Sequence, residues 1–296
     1  MNSTFPSDIP SYFADAESSF DESDIVIFGV KFDKTASFRS GARFGPDAIR
    51  KASWNFESFN FHTGVDLQDK SIHDYGNINF DENADVNQVI DQVQSFARSI
   101  VKKDKIPVLL GGEHSLSAAV VQSFANNIGV LSFDAHADFR NQYQDECYNH
   151  ACVLRRIADH VGDEHIFLCG LRSAGKEEYI ELKKHNISFI DTYTFHEASN
   201  KKIIEQITSS FNNRPIYVTI DIDVFDPAYA PGTGTPEPFG LNPIDVLPIL
   251  DALSPKIIGF DVMEINSQFD YGQTAFLGAK LTRHLLEILS KKVSLI

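Results

Sequence analysis

Cysteine is scarce in this sequence. Its 296 residues include three, Cys147, Cys152 and Cys169, and no CxxC pair. That speaks against a disulfide framework and against a zinc site built on thiolates. Basic residues are few as well. Twenty-six Lys and Arg stand against 41 Asp and Glu, for a net charge of −15 and a pI near 5.0. Such a balance argues against nucleic acid or an anionic membrane surface as partner, and it is compatible with a cationic substrate. No apolar run approaches the ~18 residues that a membrane span needs. The opening Met1-Asn-Ser-Thr-Phe-Pro6 has neither a basic stretch nor an apolar one, so no secretory leader is read there and a cytoplasmic protein is expected. Linkers and internal repeats are also missing. The expectation is one domain over residues 1–296, with 1–22 an irregular, Ser/Asp-rich lead-in.

What is present is a series of short apolar runs. Asp24–Val30, Ile106–Leu110, Ile128–Phe133, His165–Cys169, Ile187–Ile190, Pro215–Ile220 and Lys256–Phe260 read as strands. Helical spacing covers Asn87–Lys102, Ser115–Asn126, Ala151–Val161, Lys201–Phe211, Pro243–Leu253 and Thr274–Ser290, and Pro46 is placed to open another helix through about Phe56. Residues 57–86 show no clear period. Strands apolar on both faces, alternating with helices, predict an α/β fold: a mostly parallel central sheet covered on both sides, three layers in all.

Four of these strands finish in the same chemistry. Val108-Leu-Leu-Gly-Gly-Glu-His114 ends in an acid and an imidazole. Gly129-Val-Leu-Ser-Phe-Asp-Ala-His-Ala-Asp138 ends in Asp134, His136 and Asp138, every second residue, which an extended chain would project to one side. Tyr217-Val-Thr-Ile-Asp-Ile-Asp223 repeats that spacing with Asp221 and Asp223, and Ile258-Gly-Phe-Asp-Val-Met-Glu264 closes on a carboxylate. In open α/β sheets ligands bind beyond the carboxyl ends of the strands, so the four termini predict one shared site. Asp134, Asp138, Asp221 and Asp223 would bring four negative charges there. At ~4 Å and an effective dielectric of ~20, each like pair costs about 4 kcal/mol. Two divalent ions would neutralise the set, and with His114 and His136 it offers six ligands. Oxygen-rich ligation leans toward Mn over Zn, and a bound divalent ion can lower the pKa of its water from about 15.7 to near 7. Glu113 should point away from the site in a structural role. His150, in a loop after the ligand strand, is either a solvated histidine or a proton shuttle.

The motifs together resemble the ureohydrolase family, which includes arginase, agmatinase, formimidoylglutamase and guanidinobutyrase. The matching stretches are Gly111-Gly-Glu-His-Ser115, Ser132-Phe-Asp-Ala-His-Ala-Asp138, Asp221-Ile-Asp-Val-Phe-Asp-Pro227 with its Gly-Thr-Gly-Thr-Pro continuation, Gly41-Ala-Arg-Phe-Gly-Pro46, and Gly259-Phe-Asp-Val-Met-Glu264. The resemblance implies a three-layer α/β/α fold and two Mn²⁺ per chain on His114, Asp134, His136, Asp138, Asp221 and Asp223. It makes His150 an acid/base residue, Asp138 a proton relay and Glu264 the carboxylate that grips a guanidinium, with Thr235 also at the substrate. A small cationic guanidino compound would be hydrolysed to urea and an amine by a homo-oligomer, a trimer or hexamer.

The Pro231-Gly-Thr-Gly-Thr-Pro-Glu-Pro238 wording looks like the agmatinase branch, implying agmatine cleaved to putrescine and urea. Asp145 and Glu146 are the expected hold on the distal ammonium. Arg140 either pairs with one of them or welcomes a carboxylated substrate, 4-guanidinobutyrate or arginine, and Phe239 is expected to bulk the pocket rim. Three readings from other classes remain at this stage: a binuclear metallophosphoesterase, a zinc deacetylase of similar architecture, and a metal-binding scaffold without turnover.

Overall fold

The computed structural model describes residues 9–81 and 83–293, so the first eight residues of the expected lead-in lie outside the described residues. Residues 9–22 form no helix and no named strand, yet they are tied down. Phe13 is fully buried, its backbone N–H donates to Asp74 Oδ2, and that of Ala14 donates to Ser53 Oγ.

The described residues form ten strands: β1 (Ile25–Gly29), β2 (Phe59–Asn60), β3 (Val65–Asp66), β4 (Ile72–Asn77), β5 (Ile106–Leu110), β6 (Gly129–Phe133), β7 (Ile166–Leu171), β8 (Ser188–Asp191), β9 (Ile216–Asp221) and β10 (Ile257–Met263). Eight of them make one sheet in the order β4-β1-β5-β10-β9-β6-β7-β8, and β2 and β3 make a small separate pair. Every pairing in the large sheet is parallel.

Among the described residues nine α-helices connect and cover it. They are α1 (Gly45–Ser53), α2 (Val86–Val101), α3 (Leu116–Val121), α4 (Val153–Val161), α5 (Lys176–Lys184), α6 (Thr192–Glu197), α7 (Asn200–Ser210), α8 (Pro243–Leu253) and α9 (Gln273–Val293). Alternate residues of each central strand feed two separate cores. On one side Val108, Leu131, Phe133, Val218 and Ile220 pack with the apolar stripes of α1, α7, α8 and α9. On the other Leu109, Val130 and Tyr217 pack with those of α2, α3 and α4. The three-layer expectation is met. Covering both faces leaves the strand ends as the place where polar side chains collect.

Local chemistry explains the boundaries. Asp85 and Gln88 form a reciprocal capping box that starts α2. Pro243 opens α8 and Pro46 sits in the first turn of α1, where a missing N–H costs nothing. Helix α3 stops at Val121, well short of Asn126, because Gln122, Ser123 and Phe124 turn back onto the carbonyls of α3.

Candidate metal centre and its cavity

Strands β5, β10, β9 and β6 are consecutive at the middle of the sheet, and the four motifs leave from their carboxyl ends. The convergence is real, but strand alternation does not produce it. Strand β6 stops at Phe133, and Asp138 has φ 46, left-handed backbone that no strand contains. Asp223 likewise lies in a 3₁₀ turn, Ile222–Val224, whose first N–H groups are capped when Asp221 Oδ1 accepts from Asp223 N at 2.9 Å. Turns beyond the strands aim these carboxylates. The guanidinium of Arg172 holds the second turn from behind, donating to the carbonyls of Gly170, Asp223, Val224 and Glu237.

The side chains gather into two groups that share one member. His114, Asp134 and Asp221 bring ligand atoms together, and so do Asp134, His136 and Asp223. His114 Nδ1 lies 3.1 Å from Asp134 Oδ2, 3.2 Å from Asp221 Oδ2 and 3.5 Å from Asp138 Oδ2. His136 Nδ1 lies 3.0 Å from Asp223 Oδ2. Thr235 donates its hydroxyl to Asp223 Oδ2 at 3.1 Å.

These residues fit a pair of cations. His114 Nδ1 is buried and has no hydrogen-bond partner. Its other nitrogen, Nε2, lies 2.9 Å from Thr219 Oγ1, and that hydroxyl donates to Asp261 Oδ1 at 2.6 Å. Nε2 is therefore protonated, and Nδ1 faces three carboxylates. Burial alone would lower the His114 pKa, but the carboxylates outweigh it and raise the pKa well above 6.5, so that Nδ1 calls for a proton or a metal ion. Lone pair against carboxylates is repulsive unless a cation stands between them. The carboxylates carry the same strain. Burial, then Asp223 and Asp134, push Asp221 well above the usual carboxylate range. Burial and Asp138 push Asp134 up to about 6. Asp223 is buried too, yet His136 and Arg172 outweigh that and draw it down.

A cavity opens beside these groups. Its lining includes Asp138, His150, Thr235, Glu264, Arg140 and Glu178. Glu264 follows β10 at φ 63, and its Oε1 accepts from the backbone N–H of His114 at 2.7 Å. His150 is held from the far side, with Nδ1 3.2 Å from Thr35 Oγ1 and Nε2 3.2 Å from Ser37 Oγ. Burial, then His136, lower the His150 pKa from 6.5 to about 4.

A neutral His150 should leave a mark on stability. Between pH 6.5 and 4 the unfolded chain takes up a proton that the folded chain refuses, so stability falls as pH drops through that window. The contribution is up to about 3 kcal/mol. In denaturant titrations across the window, His150→Gln is expected to lose that share of the acid sensitivity. A slope identical to the parent's would mean that His150 charges freely in the folded state.

Two expectations about the loop after β6, and one about Phe239 in the loop after β9, are corrected. Asp145 and Glu146 do not line the cavity. The loop folds on itself through paired Tyr143 and Glu146 backbone bonds, and the Glu146 carboxylate accepts from the N–H groups of Cys147 and Tyr148. Arg140 pairs with neither of them. Its Nε donates to Glu178 Oε2 at 3.3 Å and its guanidinium stacks on Tyr143. Phe239, at φ 66, is turned to solvent and is not part of the lining.

Residues that the sequence reading passed over complete the site: Thr35 and Ser37 beside His150, and Ser173, Gly175 and Glu178 after β7. A signal for the second set existed. Leu171-Arg-Ser-Ala-Gly175 follows an apolar run at the same sheet edge as the four motifs.

Comparison with known proteins agrees with this geometry. The model of the arginase family matches residues 23–287. An agmatinase of Bacillus cereus is 32% identical over 93% of this chain and 94% of its own length. The N(1)-aminopropylagmatine ureohydrolase of Thermococcus kodakarensis is 37% identical over 90% and 91%. The crystal structure of the agmatine ureohydrolase of Thermoplasma volcanium superposes with a TM-score of 0.91 at 37% identity, covering 99% of this chain and 97% of that one.

Proposed function

We infer the reaction from one premise: this chain belongs to the arginase family. It is a ureohydrolase that acts on guanidino C–N bonds, and it hydrolyses agmatine to putrescine and urea. The observation that carries the reading is the buried, unpartnered His114 Nδ1 facing three carboxylates, beside a cavity that also holds Glu264.

We assign His114, Asp134, Asp138 and Asp221 to one cation and Asp134, His136 and Asp223 to the other, with Mn²⁺ the ion suited to so many oxygens. When bound, the two cations supply Lewis-acid stabilisation and a water acidic enough to attack at neutral pH. The protein's own groups then do the rest. Glu264, fixed by the His114 N–H, opposes the guanidinium charge and sets its carbon over the centre. Thr235 holds Asp223 in place at the cavity wall. Asp138 lines the cavity and can take the proton released as water adds to that carbon, then pass it to the departing nitrogen. The C–N bond to the butylamine chain breaks, and His150, neutral at rest, takes up a proton from solvent at the cavity and hands it to the leaving amine. Urea departs with the carbon and putrescine with the nitrogen.

Arg140 in the lining favours a second reading, a substrate that ends in a carboxylate. A panel decides. Mn²⁺-reconstituted protein should release urea from agmatine with a higher kcat/KM than from arginine, 4-guanidinobutyrate or N(1)-aminopropylagmatine. Preference for a carboxylated compound overturns agmatine, and no urea from any member of the panel overturns the activity.

No described helix is long and apolar enough to cross a membrane. A cytoplasmic homo-oligomer, trimeric or hexameric, built of one domain per chain completes the proposal. Sedimentation equilibrium tests the assembly.

A further inference from the structure

Glu113 has no place in the mechanism above. It is fully buried and next to His114 in sequence, but its carboxylate is bonded to Thr35 and Ser115 rather than joining the two ligand groups. Three donors converge on it. Thr35 Oγ1 and Ser115 Oγ reach Oε1 at 2.7 and 2.5 Å, and the backbone N–H of Thr35 reaches Oε2 at 2.7 Å. Thr35 Oγ1 also meets His150 twice, at the backbone N–H (3.1 Å) and at the ring Nδ1 (3.2 Å).

Proton counting settles what each contact must be. Burial raises the Glu113 pKa to about 7, so at the pH 9 of the test below it is a carboxylate and only accepts, whereas a threonine hydroxyl has one proton to give and two lone pairs to receive with. The Thr35 proton goes to Glu113. Its lone pairs then receive the His150 N–H and a proton on Nδ1. The ring is thereby held as the Nδ1–H tautomer, with the lone pair of Nε2 turned toward Ser37 and the cavity. We propose that Glu113, acting through Thr35, is a positioning residue that fixes the His150 tautomer and leaves Nε2 as the proton-accepting atom at the substrate. The tautomer follows from the hydrogen bonds alone; its use in protonating the leaving amine rests on the ureohydrolase reading. A His that presented Nε2–H instead would have no lone pair facing the reaction, and could not collect a proton there.

Glu113→Gln makes a sharp test because the amide nearly preserves shape. The Thr35 N–H can only donate, so it must meet the amide oxygen. That places the amide NH₂ against Thr35 Oγ1 and Ser115 Oγ, where it donates. The Thr35 proton is then free to swing to His150 Nδ1, which becomes the acceptor, and Nε2 acquires the proton. The switch is read by ¹⁵N NMR of the full-length chain labelled with ¹⁵N-histidine, at pH 9, without added paramagnetic Mn²⁺. His150→Gln identifies the signal.

The parent is expected to show Nδ1–H with a bare Nε2, and Glu113→Gln the reverse. With Mn²⁺ restored, kcat of Glu113→Gln on agmatine should fall by about 10²-fold with little change in KM. Thr35→Ser should keep the parent tautomer and Thr35→Val should lose the Nδ1–H preference, which carries the test if Glu113→Gln does not fold. A parent that shows Nε2–H, a Glu113→Gln protein with the parent tautomer, or identical spectra for Thr35→Ser and Thr35→Val each overturns the proposal. The spectra do not depend on turnover. A parent that releases no urea therefore sinks the activity and leaves the tautomer assignment standing.

Discussion

Replacing Asp134 with Asn is expected to reduce the metal content from two ions per chain to one or none, and to lower urea release from agmatine by at least about 10³-fold, roughly 4 kcal/mol of transition-state stabilisation. Asp134 is the residue common to both ligand groups. Its Oδ1 is fixed by the backbone N–H of His136 at 2.6 Å, and its Oδ2 stands 3.1 Å from His114 Nδ1. In the variant the amide oxygen takes the position beside the His136 N–H, so the NH₂ faces His114 and the cation. A donor would point at a positive charge, and the set of four aspartates would drop from −4 to −3. Folding should survive, because the backbone bond from Asp134 N to Cys169 O does not involve the side chain. Chelated protein gives an independent arm. Without cations the clustered carboxylates repel each other, so Asp134→Asn should melt no lower than the parent in the presence of chelator. With Mn²⁺ present the order should reverse, because the parent gains more from binding. Elemental analysis that finds two ions in the variant, with normal turnover, would remove Asp134 from the centre.

The parts of this molecule that were legible in its sequence share a physical cause. Strands β5, β6, β9 and β10 are covered on both faces, so each must be apolar throughout, and a continuous apolar run stands out. Strand β4 did not stand out because it is the sheet's edge. Ile72-His-Asp-Tyr-Gly-Asn77 pairs with a strand on one side only, its outer side meeting just a short bridge at Glu17, and it is mostly half-buried, so nothing forced it to be apolar. Helix α5 was missed for a related reason. Lys176–Lys184 buries Leu182 but leaves Tyr179 and Ile180 exposed, and so shows no apolar stripe. The clustered acids and histidines were legible as candidate ligands because residue types that repel each other recur at the ends of buried strands, which invites one explanation. Thr35, Ser37 and Glu178 were not. A threonine and a serine in an ordinary loop and a glutamate in the first turn of α5 carry no such tension until the fold brings them beside His150 and Arg140. The error over Asp145 and Glu146 has the same source: charge in a loop near the site was read as facing it, whereas the loop spends Glu146 on its own backbone N–H groups.

Glu264→Gln is expected to raise KM for agmatine by about 10²-fold while kcat changes far less, with both cations retained. The carboxylate is half-buried at the cavity wall among other acids; desolvation, then Glu113, push its pKa up to about 8. A lone acid in that position would be costly, and a guanidinium relieves the cost, so the gain falls on substrate capture. Breaking one partner of a desolvated charge pair costs about 2–5 kcal/mol, which spans the predicted change. The reason for expecting KM to move more than kcat is geometric. Glu264 Oε1 already accepts from His114 N, and the positive φ at Glu264 fixes the backbone from which the side chain reaches the cavity. Gln can keep that hydrogen bond through its amide oxygen, so His114 and the cluster stay in place while the charge is lost. The interaction is made with the guanidinium before and during reaction alike, which is the signature of uniform binding. Substrates should lose affinity in proportion to their guanidinium contact, so agmatine and arginine should suffer by similar factors whatever their distal groups. A variant whose KM stays at the parent value while kcat collapses would move Glu264 from gripping the cation to the chemical step itself.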